Sequence, residues 1–293
     1  EDMNRGVWYA VGAYLLWGLL PIYWKALQTV PALQILNHRV VWSLGFLASI
    51  LLVRRDWEPL RLALKSRRIL LIYLATSCLL GVNWLTYIWG VNAGFIVETS
   101  LGYFINPLVS VLLGVVFLRE KLRPGQWIPV GLAALGVIYL TISYQKLPWI
   151  ALVLAFTFGL YGLIKKIAPL NSLHSLALET ALLFVPSLAY LLWAEAQGSG
   201  AFGHASIGTT LLLVFTGVVT ALPLLLFGAG ARLIPLSLIG LLQYTAPTLQ
   251  FLIGVLIYGE PFTRERMIGF GIIWLALVIY TLEGVLAKQR QRS

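Results

Sequence analysis

The sequence predicts an all-α polytopic membrane protein, with ten transmembrane helices arranged as two inverted five-helix repeats. Three observations carry that expectation. Hydrophobic residues fill 59% of the 293 positions and charged residues only 11%; a soluble domain runs near a quarter charged and could not cover its surface with so few. Ten apolar segments follow one another with short connections, each close to the ~20 residues that a helix needs to cross a bilayer. The chain also matches itself at a shift of 140 residues.

The apolar segments run over about 7–26, 33–53, 69–91, 96–118, 125–143, 148–166, 173–193, 208–230, 235–257 and 264–286. Helix is the expected state, because a backbone facing lipid must satisfy its own hydrogen bonds. A β-barrel would alternate polar and apolar residues in segments about half as long, and runs such as Leu211-Leu212-Leu213-Val214-Phe215 do not alternate. The first run is as long as a full span and lacks a small-x-small cleavage site, so it reads as a helix and not a removable signal.

Orientation follows from the loops. With the N-terminus inside, 16 of the 21 basic residues fall on the inner side, in the stretches around Arg5, 54–68, 119–123, Lys165-Lys166, Arg232 and 288–292. Lys25, Lys146, Arg264 and Arg266 fall on the outer side, and Arg39 lies inside the second segment. Lys and Arg collect in cytoplasmic loops, so both termini are expected in the cytoplasm. The net charge of +10 is read through this rule, without a nucleic-acid partner.

The repeat is carried by residues that apolar composition does not supply by chance. At a shift of 140, Pro107 meets Pro247, Gly114 meets Gly254, Glu120 meets Glu260 and Gly131 meets Gly271. Near the start of each half the shift becomes 141, where Trp17-Gly18-Leu19 meets Phe158-Gly159-Leu160 and Lys25 meets Lys166. The halves are expected over 5–144 and 145–287. Five helices per half is odd, so the second half should enter the membrane upside down, an arrangement common where a binding site opens alternately to either side.

Enzyme signatures are absent. There is no P-loop, no paired-carboxylate or metal site and no expected cofactor; Cys78 is the single cysteine, and His38, His174 and His204 lack zinc spacing. The residues that stand out are polar groups within apolar segments. Arg39 lies about 9 Å below the outer end of its helix at 1.5 Å per residue; a buried charge there is a functional candidate that needs a partner. Glu98 is its expected partner. Glu179 falls at the repeat equivalent of Arg39 at one shift and of His38 at the other. It is expected to face Arg232 or to carry a proton, so His38, Arg39, Glu98 and Glu179 form the expected coupling or ion-pair set. Asn83, Asn106, Gln243 and Gln250, with Trp84, Tyr87, Tyr103 and Tyr244, are expected with Arg39 to line one central substrate cavity, amides orienting a polar group and rings packing an apolar body. For any one amide, helix-to-helix glue is the blander reading. Pro107 and Pro247 should interrupt equivalent helices and free the carbonyls of Tyr103 and Gln243, and matched breaks point to a transporter site. Glu120 and Glu260 read as loop anchors. Gly90 and Gly94 make a GxxxG spacing, weak ground for a dimer, so a monomer stays open.

Several stretches resemble the RarD family, in the EamA branch of the drug/metabolite transporter superfamily. They are Asn37-His38-Arg39-Val40-Val41-Trp42-Ser43, Gly81 to Asn92, Glu98-Thr99-Ser100-Leu101-Gly102-Tyr103-Phe104-Ile105-Asn106-Pro107-Leu108, and Gln243-Tyr244-Thr245-Ala246-Pro247-Thr248-Leu249. The resemblance implies two EamA repeats, a bacterial inner-membrane location and a permease for small organic metabolites or drugs, with amino-acid-like solutes among them. A channel or non-transporting scaffold is the alternative, and a membrane enzyme the lesser one.

Overall fold

The computed structural model describes residues 2–92, 96–143, 149–257 and 263–290. Among them the chain forms twelve α-helices and no strand: α1 (Asp2–Ala26), α2 (Ala32–Arg54), α3 (Glu58–Lys65), α4 (Arg67–Asn92), α5 (Ile96–Phe117), α6 (Pro124–Ser143), α7 (Trp149–Ile167), α8 (Ser172–Ala196), α9 (Ile207–Leu233), α10 (Leu236–Leu242), α11 (Thr245–Leu256) and α12 (Arg264–Arg290). Seven of these are long and apolar enough to cross a membrane, namely α1, α2, α4, α6, α7, α8 and α9; shorter apolar stretches lie in α5 and α12. Large apolar side chains such as Val53, Ile142, Val185 and Leu256 stand exposed around the outside, as they should where lipid is the solvent.

Local sequence sets the helix ends. α2 starts after Pro31 and stops at Arg55, whose left-handed backbone (φ 54°) turns its N–H back to the Leu51 and Leu52 carbonyls. Asn171 caps α8 by accepting from the His174 N–H at 3.0 Å, and Ser206 caps α9 by accepting from the Thr209 N–H at 3.1 Å, each filling one of the orphan donors of a first turn. The basic stretch after α2, expected as plain loop, contains α3. Leu60, Ala63 and Leu64 recur there at helical spacing beside Arg61 and Lys65, with Ala63 buried, an amphipathic turn too short for a spanning pattern to reveal.

The two prolines expected to break equivalent helices behave differently. Pro107 lies within the continuous α5. The run holding Pro247 parts into α10 and α11 at Gln243 and Tyr244; Gln243 is the carbonyl from which Pro247 withholds a donor. Pro21, Pro129, Pro186 and Pro223 also sit inside helices, so a proline alone does not part a helix in this chain.

Helices pack mainly across the two halves of the sequence. α1 lies against α9 and α11, α7 against α5 and α4, α2 against α8 and α9, α10 against α5, and α6 against α12. Glycines permit the closest crossings. A Cβ on Gly217 would meet the Trp42 carbonyl group and come within 2.8 Å of the Ser43 nitrogen; one on Gly240 would meet the Pro107 carbonyl oxygen. Small residues let membrane helices approach this closely, and Ser43 Oγ then donates to the Gly217 carbonyl at 3.2 Å.

Candidate functional site

The bundle has two ends. Gly6, near the start of α1, abuts Leu233 and Ile234 at the end of α9. The Lys166 Nζ donates to the Ala231 and Ile234 carbonyls at 3.1 and 2.6 Å. The starts of α1 and α8 and the ends of α7 and α9 therefore share one end, called here the near end. The α1–α2 turn lies at the far end.

Arg39 is the eighth residue of α2, counted from the far end. Its Nε donates to Thr220 Oγ1 of α9 at 2.9 Å. Its guanidinium carbon sits 4.9 Å from the ring centre of Trp24 (α1) and 5.0 Å from that of Trp84 (α4). Two aromatic faces thus hold one cation, an attraction of about 0.5–2 kcal/mol each according to desolvation. The Tyr87 and Tyr103 phenols interact electrostatically with Arg39 and hydrogen-bond to each other, with ring centroids 6.0 Å apart. Trp84 and Tyr87 share a face because they are three residues apart on α4. Arg39, Trp24, Trp84, Tyr87 and Tyr103 each keep some accessible surface. Four of them were singled out in the sequence. Trp24 and Thr220 were not: they belong to distant helices, and neither is unusual in an apolar run.

The other candidates lie elsewhere. His38 accepts from Trp42 Nε1 at 3.2 Å and stacks on Phe202, with centroids 5.3 Å apart; one helical step of about 100° turns it from Arg39 toward the far-end loop. Asn83 Nδ2 donates to the Leu154 carbonyl at 3.0 Å and to Thr157 Oγ1 at 2.9 Å, so its amide bolts α4 to α7. Gln250 Nε2 donates to the Trp17 carbonyl at 3.1 Å, bolting α11 to α1. Asn106 and Gln243 are buried, and Asn106 Oδ1 and Gln243 Oε1 have no partner among the described residues. Tyr244 is buried with Phe104, Ala133, Val137, Leu140 and Ile273, and its hydroxyl donates to the Phe104 carbonyl at 3.2 Å. Of the four residues expected to approach one void, Tyr103 stands by Tyr87 and Arg39, while Tyr244 fills a core beside α6 and α12. The side chain of Glu98, and Glu260 altogether, lie outside the described residues.

Glu179, eighth in α8 from the near end, has a different partner from the one expected. Arg232 donates instead to the Ala168 and Leu170 carbonyls at 2.8 and 2.6 Å. Lys165 Nζ meets Glu179 at 3.0 and 3.2 Å and also donates to Ser175 Oγ. Tyr161 Oη donates to the same carboxylate at 3.1 Å, and the Ser77 hydroxyl reaches the Glu179 carbonyl at 3.3 Å. The pair is buried, with side chains 2% and 0% exposed. Next to it, Tyr14, Trp17, Phe158, Tyr161 and Phe227 pack ring against ring across α1, α7 and α9, with neighbouring centroids 5.1–6.4 Å apart. Across this part of the bundle, a buried ion pair and a cluster of five aromatic rings thus pack side by side. Lys165 escaped the sequence reading because it adjoins Lys166 at a segment end. The repeat held a signal, since at the shift of 141 Lys165 occupies the position of Trp24.

Glu120 reads as an anchor and is one. Its carboxylate accepts from the Leu236 N–H at 2.7 Å, the Ser237 N–H at 3.0 Å and the Ser237 hydroxyl at 2.7 Å. It ties the loop after α5 to the first turn of α10, where the helix dipole also favours a negative charge. Among the described residues no cluster of three or more His, Cys, Asp or Glu could hold a metal.

Seven helices long and apolar enough to cross a membrane, with a cation and an ion pair held among them, define the class: a multi-pass membrane protein. Comparison narrows it. The profile of the EamA-like transporter family matches residues 4–142 and again 147–282. Protein RarD of Streptomyces exfoliatus is 48% identical over 100% of this chain and 93% of its own. The uncharacterized transporter YojE of Bacillus subtilis is 47% identical over 100% and 98%, and protein RarD of Escherichia coli is 38% identical over 99% and 98%. A solved crystal structure with 18% identity superposes with a TM-score of 0.70 over 95% of this chain and 98% of its own, a likeness of fold alone. The chain belongs to the EamA-like transporter family, and a general transport role follows.

Proposed function

We propose that this protein is a secondary transporter that exports a small organic solute across the bacterial inner membrane by alternating access, with ten spans in two inverted repeats over 5–144 and 145–287. The observation that carries it is Arg39, a cation in an apolar helix, held part-exposed by Trp24, Trp84 and Thr220 from three other helices. A charge within a membrane segment marks a substrate or ion pathway by default.

The packing supports inverted repeats. Exchange α1 with α7, α2 with α8, α4 with α9, α5 with α10–α11 and α6 with α12. The contact of α1 with α9 becomes that of α7 with α4; α1 with α11 becomes α7 with α5; α2 with α9 becomes α8 with α4. The pairs α2–α8, α5–α10 and α6–α12 map onto themselves. The double match of the family profile points the same way. The loop charges favour the near end, which carries the N-terminus, as cytoplasmic. On this reading an exported solute leaves the Arg39 site toward the far end, and loading from the cytoplasm requires the Lys165–Glu179 pair and the neighbouring aromatic cluster to part. Tyr244 is left out of the site because it is buried against Phe104 and the α6–α12 core.

The test is counterflow in proteoliposomes. Saturable exchange of a labelled solute against an unlabelled pool is expected. Flux that grows linearly with concentration and shows no counterflow would instead indicate a channel, and no flux at all across a broad solute panel a scaffold. Uphill movement driven by an imposed pH gradient would establish proton coupling.

A further inference from the structure

The Arg39 guanidinium is held by residues of three other helices. Its Nε–H is spent on Thr220, at 2.9 Å. Trp24 and Trp84 cover its faces at 4.9 and 5.0 Å. Its two terminal nitrogens form a fork that no hydrogen bond among the described residues uses, the geometry that matches a carboxylate with two parallel hydrogen bonds. Among the described residues no carboxylate pairs with it; the ion pairs found there belong to Arg123, Lys165, His174 and His204. The Tyr87 and Tyr103 rings stand at the same place, part-exposed, with their hydroxyls bonded to each other. They leave an aromatic wall beside the fork.

The sequence correspondence of the halves offers a comparison for this cation. At the shifts of 140 and 141, Glu179 stands at the position of Arg39 and Lys165 at that of Trp24. In the second half, the cation's counter-charge is built into the chain, and the pair is fully buried. In the first half, the corresponding place holds a cation beside two tryptophans, and no counter-anion meets it among the described residues. We infer that it comes with the substrate: the Arg39 fork receives the carboxylate of an organic monoacid whose apolar body packs on Trp84, Tyr87 and Tyr103. This rests on the transporter reading of the same site and specifies the class of solute moved.

The experiment separates binding from transport. Purified protein in detergent is titrated with benzoate, phenylacetate and hexanoate, with neutral benzamide and with cationic benzylamine, and its thermal unfolding midpoint is followed. The acids are expected to raise the midpoint saturably, with benzamide and benzylamine at least tenfold weaker. Arg39→Lys, which keeps the charge and loses the fork, should weaken the acids about tenfold; Arg39→Gln should abolish the preference for acids over benzamide. Glu98→Gln tests the rival source of the anion, since Glu98 is the in-chain carboxylate expected near Arg39. Unchanged or tighter acid binding in that variant supports the inference. An absent response to all three acids in the wild type together with acid binding that appears only in Glu98→Gln would show Arg39 already neutralised within the chain and overturns it, as does equal binding of benzamide. Acid binding without counterflow would leave the anion site standing and remove the transporter reading. Counterflow confined to neutral or cationic solutes would do the reverse.

Discussion

Removing one partner of the Lys165–Glu179 pair should cost far more than removing both. The side chains are 2% and 0% exposed, so neither ion recovers hydration when its partner goes. Glu179→Gln leaves the ammonium without a counter-charge, with the Ser175 hydroxyl and the Tyr161 ring as its neighbours, and Lys165→Met leaves a carboxylate with only the Tyr161 hydroxyl. An uncompensated buried charge of this kind costs about 3–5 kcal/mol. At about 2–4 °C per kcal/mol for a chain somewhat smaller than this one, the apparent midpoint should fall by roughly 6–20 °C. The double variant Lys165→Met/Glu179→Leu buries no ion and should unfold near the wild-type midpoint or above it, because apolar replacement of a buried pair is often neutral or stabilising by about 1–4 kcal/mol. The assay is intrinsic-fluorescence melting of the purified single and double variants, analysed as a double-mutant cycle. Losses that simply add, or single variants within about 2 °C of wild type, would refute the coupling of the two as a buried ion pair.

Four further outcomes follow from the geometry. Gly217→Ala drives a Cβ into the Trp42 backbone and should lower the midpoint by an overpacking cost of about 1–3 kcal/mol, whereas Gly45→Ala, with nothing within 4 Å, should not; equal behaviour of the two by thermal unfolding would contradict the α2–α9 crossing. Tyr103→Phe should impair counterflow and Tyr244→Phe should not, since the first hydroxyl stands by Arg39 and the second bonds the Phe104 carbonyl in a core; the reverse pattern would relocate the site. Arg39→Ala should abolish counterflow while folded protein still reaches the membrane, and retained flux would remove Arg39 from the pathway. Single cysteines at Lys65 and Arg123 should react with an impermeant maleimide only from the cytoplasm and one at Arg264 only from outside; inverted labelling would overturn the orientation.

How much of the site was legible depended on where each residue sits in the chain. Arg39 and Glu179 stood out because a charge inside an apolar run carries a large transfer cost and must be explained. Lys165 did not, because a lysine beside Lys166 at a segment end looks like an ordinary inner-loop charge. Its burial comes from α8 folding back over the end of α7, which sequence spacing does not state. Tyr244 was expected across one cavity from Tyr103 because their segments correspond under the shift of 141. Correspondence puts residues at related positions, however, and not face to face. Asn83 and Gln250 took the plainer of the two roles open to an amide, since each found a backbone carbonyl on a neighbouring helix.

The sequence by itself determined that the chain is helical and membrane-embedded, and roughly where its apolar segments run. Those properties follow from composition and segment length, which act locally: an apolar run of twenty residues in lipid has only its own backbone with which to bond. It also pointed to a correspondence of the halves, through Pro, Gly and Glu recurring at one shift. The tertiary structure decided what each polar side chain meets. Two tryptophans and a threonine from three helices close around Arg39, a lysine quenches Glu179, one proline-bearing segment parts and its counterpart stays whole. These outcomes rest on contacts between residues tens to hundreds of positions apart. They are set by the close approach of helix backbones at residues such as Gly217 and Gly240, where the absence of a Cβ on one helix matters only because of what another helix places against it.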